Sequence, residues 1–380
     1  FFDNVINLTM GATIAKKTAI GFLNSAGIAV NGPNPWDIKV NNPGFYGRVL
    51  GQGPLGLGES YMDGWWDCDA LDQFFLRVIK AKLQNHVKLS WPLIWGFVAD
   101  RLNLQTIKRA FIVGEKHYDL GNDFFEAMLG RTMAYSCGYW QEAQTLDEAQ
   151  EAKFDLICRK LDFKKGQRVL DIGCGWGSFA RFAAEKYGVS VLGISVSKEQ
   201  VKFAEDLCRG LPVEFLCQDY RSLEGKFDRI VSVGMFEHVG PKNYRVYMEV
   251  THRVLKEDGL FLLHTIGSLR PDVSNPWIEK YIFPNGYLPT LKQVVQSAEG
   301  LFALEDAHNL GVYYDKTLMA WHKNFEIAWP NFKAKYGEKF YRMWRYYLLS
   351  CAAAFRANEV QVWQIVFSPN GVEGGYKSVR

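Results

Sequence analysis

Three short stretches of this chain carry residues whose types and spacing could do chemistry. The first, Val169–Gly177, reads VLDIGCGWG: an apolar run, the carboxylate of Asp171, then glycines at 173, 175 and 177. Glycine allows the tight curl such a turn needs, and a helix beginning at Ser178 would aim bare backbone amides at a ligand over the turn. Asp171 disfavours a phosphate there, because like charges repel. It suits a zwitterion with a cationic amine, or a sulfonium, so the pattern points to S-adenosylmethionine. The second stretch is GMFEHVG, which sets Glu237 and His238 just after an apolar run. The third is GLFLLHTIG, which buries His264 in another. A histidine in such a run is commonly a satisfied core residue. A glutamate and a histidine brought by two strand ends to one crevice are, however, a candidate base site.

A dinucleotide is the obvious alternative ligand for the glycine turn. Its fingerprint spaces the glycines GxGxxG/A and places a carboxylate after the second strand. Here the third glycine falls one residue early. The second strand, Ser190–Ile194, ends in Ser195 with no carboxylate, and Gln200 follows later. A purely structural turn is the third reading.

These groups need a scaffold, and 380 residues suffice for two domains. A net charge of only +3 argues against a nucleic-acid partner, while leaving room for weak attraction to anionic lipid. Aromatic residues make up 15% of the chain, which suits either a large aromatic core or a pocket for a long apolar ligand. The 7 cysteines show neither CxxC nor Cys/His metal spacing, so reduced thiols and no metal site are expected. No apolar run reaches the roughly 18 residues of a membrane span. The first residues, FFDNVINLTMGATIAKK, lack a signal-peptide layout.

From residue 117 onward, strand-like runs alternate with helical ones. Runs 168–172, 190–194, 213–217, 229–233 and 260–266 read as strands, and 178–187, 198–209 and 241–256 as helices. That alternation predicts a doubly wound, mostly parallel sheet, with ligands beyond the strands' carboxyl ends. Two amphipathic patterns, 316–330 and 336–357, precede a β-rich run at 360–367 and a ten-residue tail. Before residue 105 the chain reads as helical, at 18–29, 71–82 and 89–102, around a glycine-rich turn region at 51–69.

Eight separated motifs resemble the cyclopropane-fatty-acyl-phospholipid synthase family of bacteria, within the wider mycolic acid cyclopropane synthase group. They are GLGESYMDGWWDCD at 56–69, HYDLGNDFF at 117–125, YSCGYW at 135–140, VLDIGCGWG at 169–177, QDYR at 218–221, VSVGMFEHVGPKNY at 231–244, LLHTIG at 262–267 and YIFPNGYLP at 281–289. The resemblance implies a class I, Rossmann-like methyltransferase domain over 117–380, a linker over 105–116 and a small helical lipid-docking domain over 1–104. It implies transfer of a methylene from the S-adenosylmethionine methyl group to a cis double bond of a phospholipid acyl chain. It carries cofactor contacts onto Tyr135, Ser136, Asp171, Gly173, Gly175, Gly177, Ser195, Gln200, Asp219 and Tyr220. It also carries a bicarbonate site onto Cys137 and Ile266 (through their backbones), Glu237, His264 and Tyr314. It further implies a homodimer, cytoplasmic and peripheral to the membrane's inner face.

The chemistry so implied makes physical demands. An alkene is a poor nucleophile, so the sulfonium must drive the reaction and the protein must align the partners. Methyl transfer leaves a carbocation, which water would trap, so the pocket must be dry. Ring closure then needs a base for one proton of the new methyl group. Ring faces can stabilise the cation, and Tyr118, Phe236, Tyr244, Tyr281 and Phe283 lie near the motifs. Trp65, Trp66, Trp91 and Trp95, with Lys80, Lys82 and Lys88, form the expected docking surface. Three other readings stay open: a lipid methyltransferase making methyl-branched chains, a dinucleotide oxidoreductase, and a lipid-binding protein without catalysis.

Overall fold

The computed structural model describes residues 2–83, 121–271 and 275–380, with side chains from 13 onward. His117, Tyr118, Trp91, Trp95, Lys88, the helix read over 89–102 and the linker over 105–116 lie outside the described residues. The first segment holds α1 (Phe2–Ser25), β1 (Lys39–Val40), α2 (Gly44–Met62), β2 (Trp66–Asp67) and α3 (Leu71–Lys80). The second holds α4 (Asn122–Leu129), α5 (Leu146–Lys160), β3 (Arg168–Ile172), α6 (Ser178–Tyr187), β4 (Ser190–Ser195), α7 (Lys198–Leu207), β5 (Val213–Cys217), β6 (Phe227–Val233), α8 (Tyr244–Val254) and β7 (Leu255–Ser268). The third holds α9 (Pro276–Tyr281), α10 (Leu291–Ala298), β8 (Ala303–Asn309), α11 (Gly311–Arg356) and β9 (Val360–Ser368).

Contacts divide the chain into two units. Among the described residues, one comprises 2–83, 275–284 and 325–359, and the other 121–271, 285–324 and 360–380. The first unit therefore draws on two later segments as well as the N-terminal one. The reason is aromatic: Trp277 packs 4.4 Å from Tyr346, which in turn lies 5.7 Å from Tyr61 and 4.9 Å from Phe75. The glycine-rich region read as turns is largely helical, since α2 runs to Met62 with its break at Gly53 (φ 56°) before Pro54. Gly58 is there for closeness, because a Cβ on it would run into the Trp277 ring. Trp66 is fully buried in this core, with its Nε1 donating to Leu57 O and Ser60 Oγ, which removes it from the expected docking surface. Trp65 is half-buried under the Arg48 guanidinium, 4.8 Å from its ring, while Lys80 and Lys82 are exposed.

The second unit is built on a seven-stranded sheet of order β5-β4-β3-β6-β7-β9-β8. The strands from β5 to β7 are parallel, and β9 runs antiparallel between β7 and β8. Alternation along each strand serves two cores. Val169, Val191 and Val231 face α5 and α6, through Phe154, Ile157, Phe179 and Ala183. Leu170, Leu192 and Ile230 face α8 and α10, through Tyr247, Val254 and Val294. Helix starts follow local chemistry. Thr145 and Glu148 form a capping box on α5, and the Ser197 side chain caps α7. The long helix α11 breaks at Gly337 (φ 74°), matching the two separate amphipathic patterns.

The strand order reverses between β3 and β6, which opens a crevice beyond their carboxyl ends. The final residues are not the loose tail expected. Arg380 and Ser378 bond the buried Asp306, and the Tyr376 hydroxyl donates to Lys160 O.

Candidate active site

The glycine turn leaves β3 into that crevice. Gly173 N and Cys174 N both donate to Ile194 O, at 2.9 and 3.0 Å, which stitches the turn to β4. All three glycines have positive φ (88°, 54° and 83°). Gly173 and Gly177 are hemmed in: a Cβ would meet Met235 at 2.9 Å and Ala204 at 2.8 Å respectively. Gly175 faces open space, with nothing within 4 Å of a Cβ position. The turn is thus tight where it packs and bare where a ligand would approach, which fits a small organic cofactor laid over Gly175. Asp171 is buried beneath, and burial pushes its carboxyl up to about 7, against the pull of Lys153.

Around the turn stand the other expected contacts. Ser195 Oγ donates to Gln200 Oε1 at 3.0 Å and accepts from Ser197 N, so β4 and α7 present one connected polar edge. Asp219 is buried, and its carboxylate is engaged by Arg221 at 2.7 Å. Tyr220 is buried 5.0 Å from Tyr247, and its hydroxyl has no hydrogen-bond partner among the described residues.

Residues 134–140 form a strap beside the turn, carrying Tyr135, Ser136 and Cys137. On one side, the Gln150 amide donates to Ala134 O and Ser136 O, and Lys153 Nζ donates to Ser136 Oγ at 2.7 Å. On the other, Thr317 Oγ1 accepts from Gly138 N and Trp140 Nε1, at 3.0 and 2.8 Å. Trp321 packs against both Tyr135 (5.2 Å) and Tyr314 (5.9 Å). Trp176 of the glycine turn donates to Asn122 Oδ1, and its ring contacts Phe125, which reaches Tyr135. Helices α4, α5 and α11 thereby fix the strap against the turn.

Glu237 sits in the turn after β6, two residues beyond the Met235 that touches Gly173. Its Oε1 accepts the Ile266 N–H at 2.7 Å. Its Oε2 is buried with no hydrogen-bond partner among the described residues. Burial pushes this carboxyl up to about 7, and the Ile266 amide pulls it partly back. At neutral pH it therefore holds a proton much of the time. The Ile266 N–H is spent on Glu237, and its carbonyl accepts the Thr265 hydroxyl.

His264 is buried in β7, and burial holds it neutral, well below its ordinary value. Its Nδ1 lies 3.3 Å from Gln364 Nε2. With the Gln364 amide in this orientation its nitrogen donates to Nδ1, and the neutral ring then carries its proton on Nε2 as a donor. His238, the neighbouring candidate, is exposed. Cys137 is fully buried, its thiol directed at Gly138 O and Leu310 O, and burial pushes that thiol up to about 12. A thiol so placed is not a nucleophile. Phe236 stacks on Tyr244 at 4.2 Å beside Glu237, whereas Tyr281 and Phe283 belong to the other unit.

An orphaned carboxyl oxygen and a neutral imidazole donor fit a small oxyanion that shares a proton with Glu237. Among the described residues no cluster of metal-ligating side chains occurs. No sequence motif marks Gln150, Lys153, Thr317 and Trp321. The available signal was spacing: Gln150, Lys153, Phe154 and Ile157 fall on one helical face, so the lysine shares the buried stripe.

Comparison with known proteins gives concordant matches. A family model described as mycolic acid cyclopropane synthetase matches residues 105–365. A cyclopropane-fatty-acyl-phospholipid synthase of Escherichia coli (strain K12) is 56% identical over 366 residues, covering 96% of each chain. A probable fatty acid methyltransferase of Pseudomonas putida is 41% identical over 66% of this chain and 67% of its own. Among solved structures, the mycolic acid cyclopropane synthase CmaA1 complexed with SAH and CTAB aligns with a TM-score of 0.64 at 34% identity. It covers 68% of this chain and 97% of that one.

Proposed function

The chain belongs to the mycolic acid cyclopropane synthetase family, and on that premise we propose that it adds a methylene across a cis double bond in the acyl chains of membrane phospholipid. It is an S-adenosylmethionine-dependent enzyme of the class I methyltransferase fold. S-adenosylmethionine supplies the methyl group on a sulfonium, and bicarbonate, when bound, supplies a base for the proton that ring closure releases. The remaining steps fall to this chain's own residues.

The carrying observation is the contact between two turns. A Cβ on Gly173 would strike Met235, so the cofactor turn lies directly against the turn that bears Glu237. That adjacency supports methyl transfer and proton removal in one crevice. In this reading Gly175 leaves room for the cofactor, Asp171 faces its cationic amine, and Tyr135, Ser136, Ser195, Gln200, Asp219 and Tyr220 border it. Glu237 orients the bicarbonate through a shared proton, with its own position set by Ile266 N. His264 donates from Nε2, and Tyr314, packed on Trp321, completes the site with the Cys137 backbone and the Ile266 carbonyl, which keeps a lone pair beside the Thr265 hydroxyl. The buried rings of Phe236 and Tyr244 keep water from this side of the crevice.

We further propose reversible docking on the cytoplasmic face of the membrane, as a homodimer. Among the described residues no helix is long and apolar enough to cross a bilayer. With Trp66 in the core, the exposed apolar side chains Ile14 and Ile327 of the first unit are better candidates for contact with lipid.

The test is direct. The purified protein is incubated with S-adenosylmethionine and vesicles of a cis-unsaturated phospholipid, and the released fatty acids are weighed by mass spectrometry. The reading expects a product one CH2 heavier that no longer carries the double bond. It also expects turnover to fall in bicarbonate-depleted buffer and to recover when bicarbonate is restored. Turnover indifferent to bicarbonate would remove that ion from the site.

A further inference from the structure

Lys153 is a lysine with almost no exposed surface (1%), buried in α5. Its ammonium donates to Ser136 Oγ and to Gln150 Oε1, both at 2.7 Å, and lies 4.6 Å from the Phe154 ring centroid. Among the described residues no carboxylate lies within ion-pair distance of it, although Asp171 acts on it from farther away. A buried cation without a close counter-charge is costly and calls for an anion. The hydrogen-bond polarity shows where that anion would sit. Ser136 Oγ accepts from the ammonium, so its own O–H is left to donate elsewhere, and a cation behind it strengthens that donor.

We infer that Ser136, backed by Lys153, is the subsite for the carboxylate at the amino-acid end of the cofactor, with Lys153 as its positioning residue. This rests on the reading of 135–136 and 169–177 as the cofactor site. It divides the recognition of a zwitterion between two buried groups, with Asp171 toward the amine and Lys153, through Ser136, toward the carboxylate. Burial lowers Lys153 to about 7, with Cys137 and Asp171 pulling it up, so the arriving carboxylate favours its charged form. Gln150 serves the same end. It holds Lys153 through Oε1 and the strap backbone through Nε2.

The experiment compares S-adenosylmethionine with its decarboxylated analogue by titration calorimetry, using the full chain as wild type, Lys153→Met and Ser136→Ala. Wild type should prefer the carboxylated ligand by about ten-fold or more, the strength of one charge-assisted hydrogen bond. In Lys153→Met, which keeps the shape and removes the charge, that preference should collapse toward one. Affinity for the decarboxylated analogue should stay within about two-fold of wild type. Ser136→Ala should narrow the preference in the same way, which keeps the test alive if the lysine variant does not fold. A wild type that binds both ligands equally would overturn the inference, as would variants that weaken both equally. A wild type that binds neither would remove the cofactor reading along with it.

Discussion

Glu237 Oε1 accepts the Ile266 N–H at 2.7 Å while Oε2 stays buried without a partner among the described residues, so one half of the carboxyl is anchored and the other half is available. An anchored carboxyl with a raised pKa is suited to share a proton with a second oxyanion rather than to bind a cation. Glu237→Gln should therefore bind S-adenosylmethionine within about two-fold of wild type while losing about 10²–10⁴-fold in turnover. Calorimetry and a product assay on the same preparation check this. Unchanged turnover would take Glu237 out of the mechanism.

The same residue should mark the pH dependence of stability. Burial raises its folded pKa from the ordinary 4.5 to about 7. Its contribution to stability is thus fully present below the unfolded value and lost as pH rises through about 7. Relative to wild type, Glu237→Gln should gain stability between about pH 5 and about pH 8, by at most about 3 kcal/mol. Asp171 titrates in the same direction in both proteins and cancels in the difference. Parallel melting curves at the two pH values decide; a constant gap would show that Glu237 ionises freely.

Cys137→Ser should keep most of its activity. The thiol is buried and held up to about 12, and it is directed at the carbonyl oxygens of Gly138 and Leu310. Loss of turnover in a variant that melts like wild type would reinstate a role for the sulfur.

The glycines of the cofactor turn should separate stability from binding. Gly177→Ala would press a Cβ to 2.8 Å from Ala204 and 2.9 Å from Phe215, at φ 83°. It should cost about 2–4 kcal/mol of stability. Gly175→Ala meets nothing, so it should melt nearer to wild type yet lose about ten-fold or more in cofactor affinity, because the methyl fills the ligand's space. Equal effects on melting and binding in both variants would contradict this division.

Asp306 tests the C-terminal anchor. It is buried, pairs with the fully buried Lys160 at 3.5 Å and with Arg380 at 2.8 Å. Asp306→Ala strands the lysine and should cost about 3–5 kcal/mol, most of it recovered by adding Lys160→Met. Denaturant titration of the single and double variants checks the pair.

Much of the second unit was readable because each parallel strand is a short apolar run bounded by turn residues, as at Arg168–Ile172 and Val213–Cys217. The edge strand Ala303–Asn309 escaped notice, since its charges at Glu305 and Asp306 mask the apolar positions. Glycines in α2 suggested turns, whereas Gly58 serves close packing against Trp277. Trp66 looked like a membrane anchor because pattern cannot distinguish a core tryptophan from an interfacial one. Lys153 was hidden for the opposite reason: a charged side chain reads as surface, and only the three-dimensional contacts reveal its buried partners.

In the proposed reaction one proton leaves the transferred methyl group before the product is complete. The protein is given cis-unsaturated phospholipid vesicles and S-adenosylmethionine with a fully deuterated methyl, and the deuterium content of the one-carbon product is read by mass spectrometry. Ring closure predicts a product that keeps two of the three deuteriums. Retention of all three would mean that the cation is quenched without loss from the methyl, giving a methyl branch, and would contradict the role given to Glu237 and bicarbonate.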